Sequence, residues 1–474
     1  MHAANHAYDL LSTAQVGLIH RSALRILGEM GMEVQNQQLL EALRDHGAQV
    51  DYDTQKATLP AAVVERFIAD CPKHDWSGAP GRVRGSAGVY HSRYHDPLTG
   101  DLVPWTEERM ASYFALARSL PRVEGASMLG CRVPVPGPLE PLYERYYCWK
   151  HGAAESGSIH TDALCPYVLA LYEAQAAERG VPLQALFRGA VYLIPALKLG
   201  RHEAYQVAYF RDRGLRVSIG QSMATMGATA PVTLAGAVTL NLAEQMALSF
   251  LNWAFFGDLR LHLGASLAPM DMRTMIRPFG RPEMTVANLM TAQLARYYGA
   301  SFGGHAGLTD AKLPSVEAGA QKTLSAVPTL LAGGSVWMDM GLLATDEVCS
   351  PIQMVLDSEL LGALDYFTRE LPVDEEAIGL DMILEAGPGG QYLVSAHTAR
   401  HFRDEIWDPT LWSRRMLGVW LAEGMHTDAD RAREIVVQVQ ADQGRMTDEG
   451  RMSERLERAV LGVIEDARRA VAQW

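Results

Sequence analysis

The chain has 474 residues, of which 48% are hydrophobic and 20% charged, which is enough apolar material for a large folded core and argues against intrinsic disorder. The formal net charge of -13, without a run of lysine or arginine, argues against nucleic-acid binding. The five cysteines show no CxxC spacing, and no basic segment followed by an apolar run opens the chain, so we expect a cytoplasmic protein without disulfides or a secretory signal.

The first 120 residues read as a small α+β extension. Apolar residues recur at helical spacing over 16–30 and again after Asn36, and each pattern is closed by a glycine, Gly31 and Gly47. Alternating residues around Asp53 and Thr54 predict a hairpin, and Pro60 opens a further helix. The segment 71–88 is rich in proline, glycine and serine, which predicts a connector.

From residue 121 to 415, short apolar runs alternate with amphipathic helical stretches. The runs lie at 126–135, 186–197, 215–222, 259–266, 300–307 and 333–341. This rhythm is typical of an α/β fold with a parallel sheet, and its extent favours a closed barrel over an open sheet, although the rhythm does not count eight strands. The apolar stretch 231–256 includes Asn241 and Glu244, which indicates a buried helix rather than a membrane span.

The last segment, 416–474, is helical and charged. We expect it to pack outside the barrel or against a second subunit.

Two nucleotide-binding signatures, GxGxxG and GxxxxGK[ST], are absent from the sequence, so neither a nicotinamide cofactor nor a P-loop nucleotide is indicated. His397 and His401, in HTARH, have the spacing of a zinc pair on a helix. No glutamate lies between them, so we expect no metal site there.

Active sites of (β/α) barrels lie at the carboxyl ends of the strands. His305 and Trp337 are expected at two such ends, and Asp339, two residues beyond Trp337, would share its face. These three are our catalytic candidates. Gln221, near the end of the run 215–222, and His160, in SIHTDA, are candidates for substrate binding.

The stretch GATAPVTLAG, residues 227–236, follows a predicted strand and leads into a helix. Pro231 suits the first turn of that helix, with Thr229 or Ala230 near its N-cap. Free backbone N–H groups near Gly227 and Thr229 could then hold a carboxylate. The alternative is a tight turn packed against its neighbours.

Acidic and basic residues also meet in the loops PMDMRT (269–274) and HAGLTDAK (305–312). We interpret Asp271 with Arg273 and Asp310 with Lys312 as structural ion pairs, the commoner outcome for such loop pairs.

Aromatic residues gather at 90–95, at Trp105 and at 143–152. Most such stripes are core packing, but aromatic faces also attract quaternary ammonium groups. Tyr94 and Trp149 are therefore candidates for a cage around a methylated cation.

Several segments together resemble the trimethylamine methyltransferase family. They are IHRSALRILGEMGMEV, LLEALRDHGAQVD, ATLPAAVVERFI, GATAPVTLAGAV, DMRT, ARYYG, GLTDAKLPSVEAGAQK and GPGGQYLVSAHTARHFRDEIW, in family order over nearly the whole chain. The trimethylamine members carry pyrrolysine in the barrel, and this sequence shows none. It is therefore similar to the branch without pyrrolysine, which includes glycine betaine methyltransferases.

The resemblance implies a (β/α)8 barrel of the TIM type with an N-terminal extension and C-terminal helices. It also implies methyl transfer from a methylated amine to a corrinoid carried by a partner protein, with no cofactor held tightly by this chain. We expect a homo-oligomer. Two other readings stay open: a barrel lyase or aldolase-like enzyme that uses His305, Lys312 or Asp339 as acid–base groups, and a non-catalytic betaine-binding member.

Overall fold

The computed structural model describes residues 9–76, 83–89, 93–128, 135–442 and 452–471. The strands, in chain order, are β1 (Met32–Val34), β2 (Gln49–Asp51), β3 (Lys56–Thr58), β4 (Val83–Val89), β5 (Arg93–His95), β6 (Leu102–Val103), β7 (Val123–Met128), β8 (Ala154–Glu155), β9 (Gly189–Leu193), β10 (Lys198–Leu199), β11 (Val217–Gln221), β12 (Ala224–Met226), β13 (His262–Gly264), β14 (Leu267–Pro269), β15 (Ser301–Ala306), β16 (Ser335–Met340), β17 (Leu342–Leu343) and β18 (Val348–Cys349).

The α-helices are α1 (Thr13–Arg25), α2 (Gln37–Asp45), α3 (Ala61–Asp70), α4 (Glu107–Ser119), α5 (Glu140–Lys150), α6 (Cys165–Arg179), α7 (Leu183–Leu186), α8 (Arg201–Arg211), α9 (Leu234–Phe256), α10 (Pro282–Tyr298), α11 (Val316–Leu331), α12 (Pro351–Phe367), α13 (Glu375–Ile378), α14 (Leu380–Ala386), α15 (Ala396–Glu405), α16 (Leu417–Ala422), α17 (Asp428–Asp442) and α18 (Glu454–Val471).

Parallel strands close on themselves to form a barrel. One sheet runs in the order β13, β15, β16, β4, β7, β8. A bridge from Ser158 to Ala190 continues it from β8 to β9, and β9 pairs with β11. The barrel closes between β11 and β13 through the strands that follow them along the chain. Strand β12 follows β11, β14 follows β13, and β12 pairs with β14. Eight parallel strands are therefore linked in a ring within the described residues, which confirms the predicted (β/α) barrel.

Most predicted apolar runs became barrel strands, but β4 was missed. It lies in the segment that we predicted as a connector, and that prediction is wrong for residues 83–88, because β4 pairs with β16 and β7. One of the glycines that suggested a loop, Gly85, is needed by packing. A Cβ on Gly85 would lie 2.3 Å from Met340 Sδ, so a side chain there would have no room. The sheet thus begins well before residue 121, and the division at 120 and 415 stays a prediction.

The barrel interior is open. Side chains on β15 alternate between the outer and the inner face of the barrel. A Cβ on Gly304 would meet Thr329 of α11 at 2.3 Å, whereas one on Gly303 would meet the His262 ring at 3.3 Å. Helices α10 and α11 cover the outer face of β15 and β16. Trp337, in the middle of β16, is nevertheless 44% exposed, so its side chain faces the interior. The strands therefore enclose a lumen that solvent enters, rather than a fully packed core.

Several predicted elements of the N-terminal segment are present. Ser12 and Gln15 form a capping box at the start of α1, and Asn36 caps α2. Strands β2 and β3 form the predicted hairpin. Strand β10 comes from the barrel region and pairs with β1, so the extension is joined to the barrel by backbone hydrogen bonds as well as by packing.

Helix α9 holds the extension to the barrel, since α1 and α2 both pack on it. It is long and apolar enough to cross a membrane, but 72% of its most apolar window is buried inside the protein. The prediction of a buried helix is therefore confirmed.

The C-terminal helices divide into two groups. Helices α17 and α18 pack on the chain itself, α17 against α4 and α12, and α18 against α5 and α6. Helices α13 to α16, in contrast, have no buried residue. Apolar side chains around them are fully open, Leu393 at 84% and Val394 at 92%. We call residues 371–425 the apolar arm.

Candidate active site at the carboxyl ends of the barrel strands

His305 and Asp339 form the centre of the candidate site. They lie near the carboxyl ends of the neighbouring parallel strands β15 and β16, and His305 Nε2 is hydrogen-bonded to Asp339 Oδ2. Asp339 is 4% exposed, whereas about a third of the His305 side chain is open to the lumen. Burial lowers the pKa of His305, but the Asp339 carboxylate outweighs it and holds that pKa above the ordinary value. A histidine that favours its charged form thus sits beside a carboxylate.

Trp337 lies beside this pair. The register of β15 and β16 places Trp337 opposite His305, and neighbours in a parallel ladder point to the same face. The three catalytic candidates are thus brought to one wall of the lumen.

A buried ion pair between Lys322 and Asp357 lies behind this wall and was not predicted from the sequence. Lys322 Nζ donates to the backbone oxygen of Asp339 at 3.1 Å and to Asp357 Oδ2 at 2.8 Å. Asp357 also accepts from the backbone N–H of Gly341 and from Gln353. These bonds fix the end of β16, from which the Asp339 side chain projects. The feature that could have indicated this ion pair is Lys322 itself, which lies at helical spacing with Ala318, Ala326 and Leu330 on an otherwise apolar face.

Gln221 ends β11 as predicted, but its amide is already used. Its Nε2 donates to Glu244 Oε2 at 2.7 Å, and its Oε1 accepts from Gln245. Burial raises the pKa of Glu244. Gln221 therefore anchors α9 to the barrel, and its amide keeps a second N–H and a second oxygen lone pair, so its role in substrate binding stays a prediction.

The two proposed cage residues are packed inside the protein. Trp149 is 6% exposed, its ring meets Tyr172 edge-on, and its Nε1 donates to Glu155 at 3.3 Å. Tyr94 is 2% exposed and packs against Trp105 in a small sheet outside the barrel. The structure does not place either ring beside His305. Residues 90–92, part of the same aromatic stretch, lie outside the described residues.

Another aromatic side chain does reach the lumen. Tyr192, on β9, is 42% exposed, and its ring lies 3.0 Å from where a Cβ on Gly220 would be. Alternation along 189–193 was the signal that could have found it.

The remaining binding candidates lie apart from the pair. His160 is exposed, after β8. Gly227 and Thr229 are exposed in the turn after β12, where Thr229 Oγ1 accepts from the Thr225 N–H at 2.8 Å. Helix α9 begins three residues later than predicted, and Thr233, not Thr229 or Ala230, is its N-cap. The prediction for this helix start is wrong because Thr229 closes a local turn instead.

The loop ion pairs also differ from expectation. Asp271 pairs with Arg281 at 2.5 Å, while it accepts from the backbone N–H of Arg273. Lys312 Nζ donates to the backbone oxygen of Asp310, whose carboxylate binds the N–H groups of Phe279 and Gly280. Both carboxylates thus shape loops at the barrel mouth.

The two histidines of HTARH lie on α15, where His397 Nε2 contacts the backbone oxygen of Glu376 at 3.0 Å. Within the described residues, no group of three or more His, Cys, Asp or Glu side chains is placed to hold a metal ion.

Comparison with known proteins identifies the family to which the chain belongs. The model of the family described as trimethylamine methyltransferase (MTTB) matches residues 1–80 and 204–460, more than half of the chain. The chain is 24% identical to the trimethylamine methyltransferase MttB of Desulfitobacterium hafniense over 447 residues, which cover 90% of this chain and 88% of the relative. It is 25% identical to a glycine betaine methyltransferase of the same species over 438 residues, covering 89% and 90%.

Among solved structures, the monomethylamine methyltransferase of Methanosarcina barkeri is similar at 11% identity, with a TM-score of 0.41 over 91% of this chain and 92% of that one. On the family match, the chain belongs to the trimethylamine methyltransferase family and is a methyltransferase.

Proposed function

We propose that the chain moves a methyl group from a methylated amine, foremost a quaternary amine such as glycine betaine, to the cobalt of a corrinoid held by a partner protein. The observation that carries this proposal is the wall of the lumen formed by Trp337, His305 and Asp339, in a chain of this methyltransferase family. The exposed indole face of Trp337 is suited to a cation that has no N–H to donate.

The chemistry asks little of acid–base groups. When the C–N bond of a quaternary amine breaks, the methyl group passes to the acceptor and a neutral tertiary amine leaves, so no proton has to move. The corrinoid supplies the reduced cobalt that takes the methyl group. The chain's own task is to position the amine and to strip water from it. Trp337 would face the methyl groups, while the His305–Asp339 pair, whose charges offset each other, would hold the wall on which Trp337 lies.

The open lumen supports entry from the strand ends. Small residues such as Gly303 and Gly220 line it, which leaves room for a substrate beside the larger side chains. We infer that the corrinoid protein docks over this mouth, and that the enzyme acts in the cytoplasm.

The apolar arm, residues 371–425, supports the inference of a homo-oligomer. Contiguous exposed apolar surface marks an interaction site. A methyl carrier has to dock and leave in each cycle, whereas the arm needs permanent cover, so a second copy of the chain is the proposed occupant. Light scattering should give a multiple of 52.0 kDa, and Val394→Asp should shift it toward that mass. A monomer at micromolar concentration would refute this inference.

Two measurements test the function. A thermal-shift screen with methylated amines and betaines should show a rise in melting temperature with the substrate, because a ligand that binds only the native state stabilises it. Methyl transfer to a reduced corrinoid should then be lost in Trp337→Ala and kept in Tyr205→Ala, an outer-helix aromatic with the same 44% exposure. Unchanged transfer in Trp337→Ala would remove Trp337 from the site.

A further inference from the structure

A strained turn lies over the ends of β15 and β16. Ala344, Thr345 and Asp346 all have positive φ, 53°, 55° and 70°, a conformation that non-glycine residues rarely adopt and that costs free energy. The turn is tied to the loop after β15 by Ala344 N–H to Ala311 O at 2.7 Å and Thr345 N–H to Thr309 O at 3.0 Å. It is therefore held rigidly beside the wall that carries His305 and Asp339.

The turn carries a carboxylate with one oxygen that lacks a hydrogen-bond partner. Oδ1 of Asp346 is buried and has no hydrogen-bond partner among the described residues. Burial and the nearby Asp339 charge raise the pKa of Asp346 to about 6, while His305, Arg277 and Lys322 act in the opposite direction. A buried carboxylate oxygen without a partner favours a cation beside it, because an opposite charge offsets the cost of burying the anion.

A guanidinium group stands near Asp346 without pairing with it. Arg277, in the loop between β14 and α10, donates from Nη1 to Met223 O at 3.2 Å, beside the end of β11, and its side chain is exposed. Its guanidinium lies 5.3 Å from the Phe279 ring. The Phe279 N–H binds Asp310 Oδ1, which also accepts from Thr345 Oγ1 at 3.0 Å, so the two loops are joined.

Asp346 and Arg277 thus lie on two loops of the mouth that are joined through Asp310, and neither a hydrogen bond nor an ion pair connects these two side chains. A zwitterion carries the complementary pair of charges. Its ammonium group would lie beside Asp346 and its carboxylate beside Arg277, and each group would displace water from the side chain of opposite charge. Guanidinium is well shaped for a carboxylate, because it can donate two parallel N–H bonds.

We propose that Arg277 and Asp346 are specificity-determining residues that select a methyl donor carrying both a quaternary ammonium and a carboxylate. This inference rests on the proposed function, and it assigns the carboxylate to Arg277 in place of the turn at Gly227 and Thr229.

The test compares glycine betaine with choline, which keeps the trimethylammonium group and replaces the carboxylate by a hydroxyl. Calorimetry should show that Arg277→Gln weakens glycine betaine about tenfold or more and choline less than about twofold, since a charge-assisted bond is lost only for the carboxylate. Arg277→Lys should recover part of the loss. Asp346→Asn should weaken both ligands to a similar extent.

Arg273→Gln, in the same loop, is the matched control and should change neither affinity. If Arg277→Gln weakens the binding of both ligands equally, or changes neither, the inference about Arg277 is wrong. The proposed function still stands in that case if the protein transfers a methyl group. If the unaltered protein binds neither ligand and transfers no methyl group, the proposed function itself fails. A melting temperature measured for each variant separates loss of binding from loss of fold.

Discussion

Asp346→Asn should make the protein more stable at pH 8, even though it weakens the proposed site. The pKa of the carboxyl rises from 3.8 to about 6 on folding, about two units, and each unit corresponds to about 1.4 kcal/mol. Because the folded pKa lies above the unfolded one, the cost of the charge is fully present above pH 6 and fades between about pH 6 and 4. The upper bound on the gain at pH 8 is therefore about 3 kcal/mol. Asparagine also tolerates positive φ, so the turn is kept.

The assay is thermal unfolding at pH 8 and at pH 4.5. For a chain of 474 residues, an unfolding entropy of about 2 cal/mol/K per residue converts 3 kcal/mol into about 3 °C. Asp346→Asn should melt up to about 3 °C higher at pH 8, and only about 1 °C higher at pH 4.5, where most of the charge cost has faded. Asp53→Asn, at an exposed turn, should melt unchanged at both. A lower melting temperature at pH 8 would show that Asp346 makes favourable native contacts, and an equal gain at both pH values would show that its charge is not the cause; either result would contradict this prediction.

Three further outcomes are expected. Lys322→Met should lower the free energy of unfolding by about 3–5 kcal/mol in a denaturant titration, because Asp357 would keep a buried charge without its partner, and Lys322→Met with Asp357→Leu should recover much of that loss. Gly307→Ala should also unfold earlier, since Gly307 has φ 77° and a Cβ there would lie 2.2 Å from Met338 Cγ; an unaltered midpoint would contradict this. Choline affinity should fall as the pH drops from 8 to 5, as Asp346 takes up a proton, and calorimetry should show a flatter profile in Asp346→Asn.

Much of the fold could be predicted because it depends on local patterns. Five of the six apolar runs contain a barrel strand and the sixth overlaps β7, and Asn36 caps α2 as expected. The failures also have local causes. Strand β4 carries Gly85 where Met340 and Leu361 leave no room for a side chain, and a neighbour in space cannot be read from the spacing along the chain.

The candidate site was predicted only in part. His305, Trp337 and Asp339 could be proposed because residues at strand ends converge in any barrel. Tyr94 and Trp149 carried the right chemistry for a cage, yet burial against Trp105 and Tyr172 places them in the core. Side-chain type indicates what a residue can bind, whereas burial decides whether a ligand can reach it.

The α/β rhythm, the starts of several helices and the family follow from the amino-acid sequence, whereas the pairing of charges depends on tertiary packing. Lys322 on α11 reaches Asp357 on α12 across 35 residues because both helices cover β16. His305 reaches Asp339 across 34 residues because β15 and β16 are neighbouring parallel strands. Periodicity along a chain fixes the face on which a side chain lies, but the partner on that face depends on how distant segments pack.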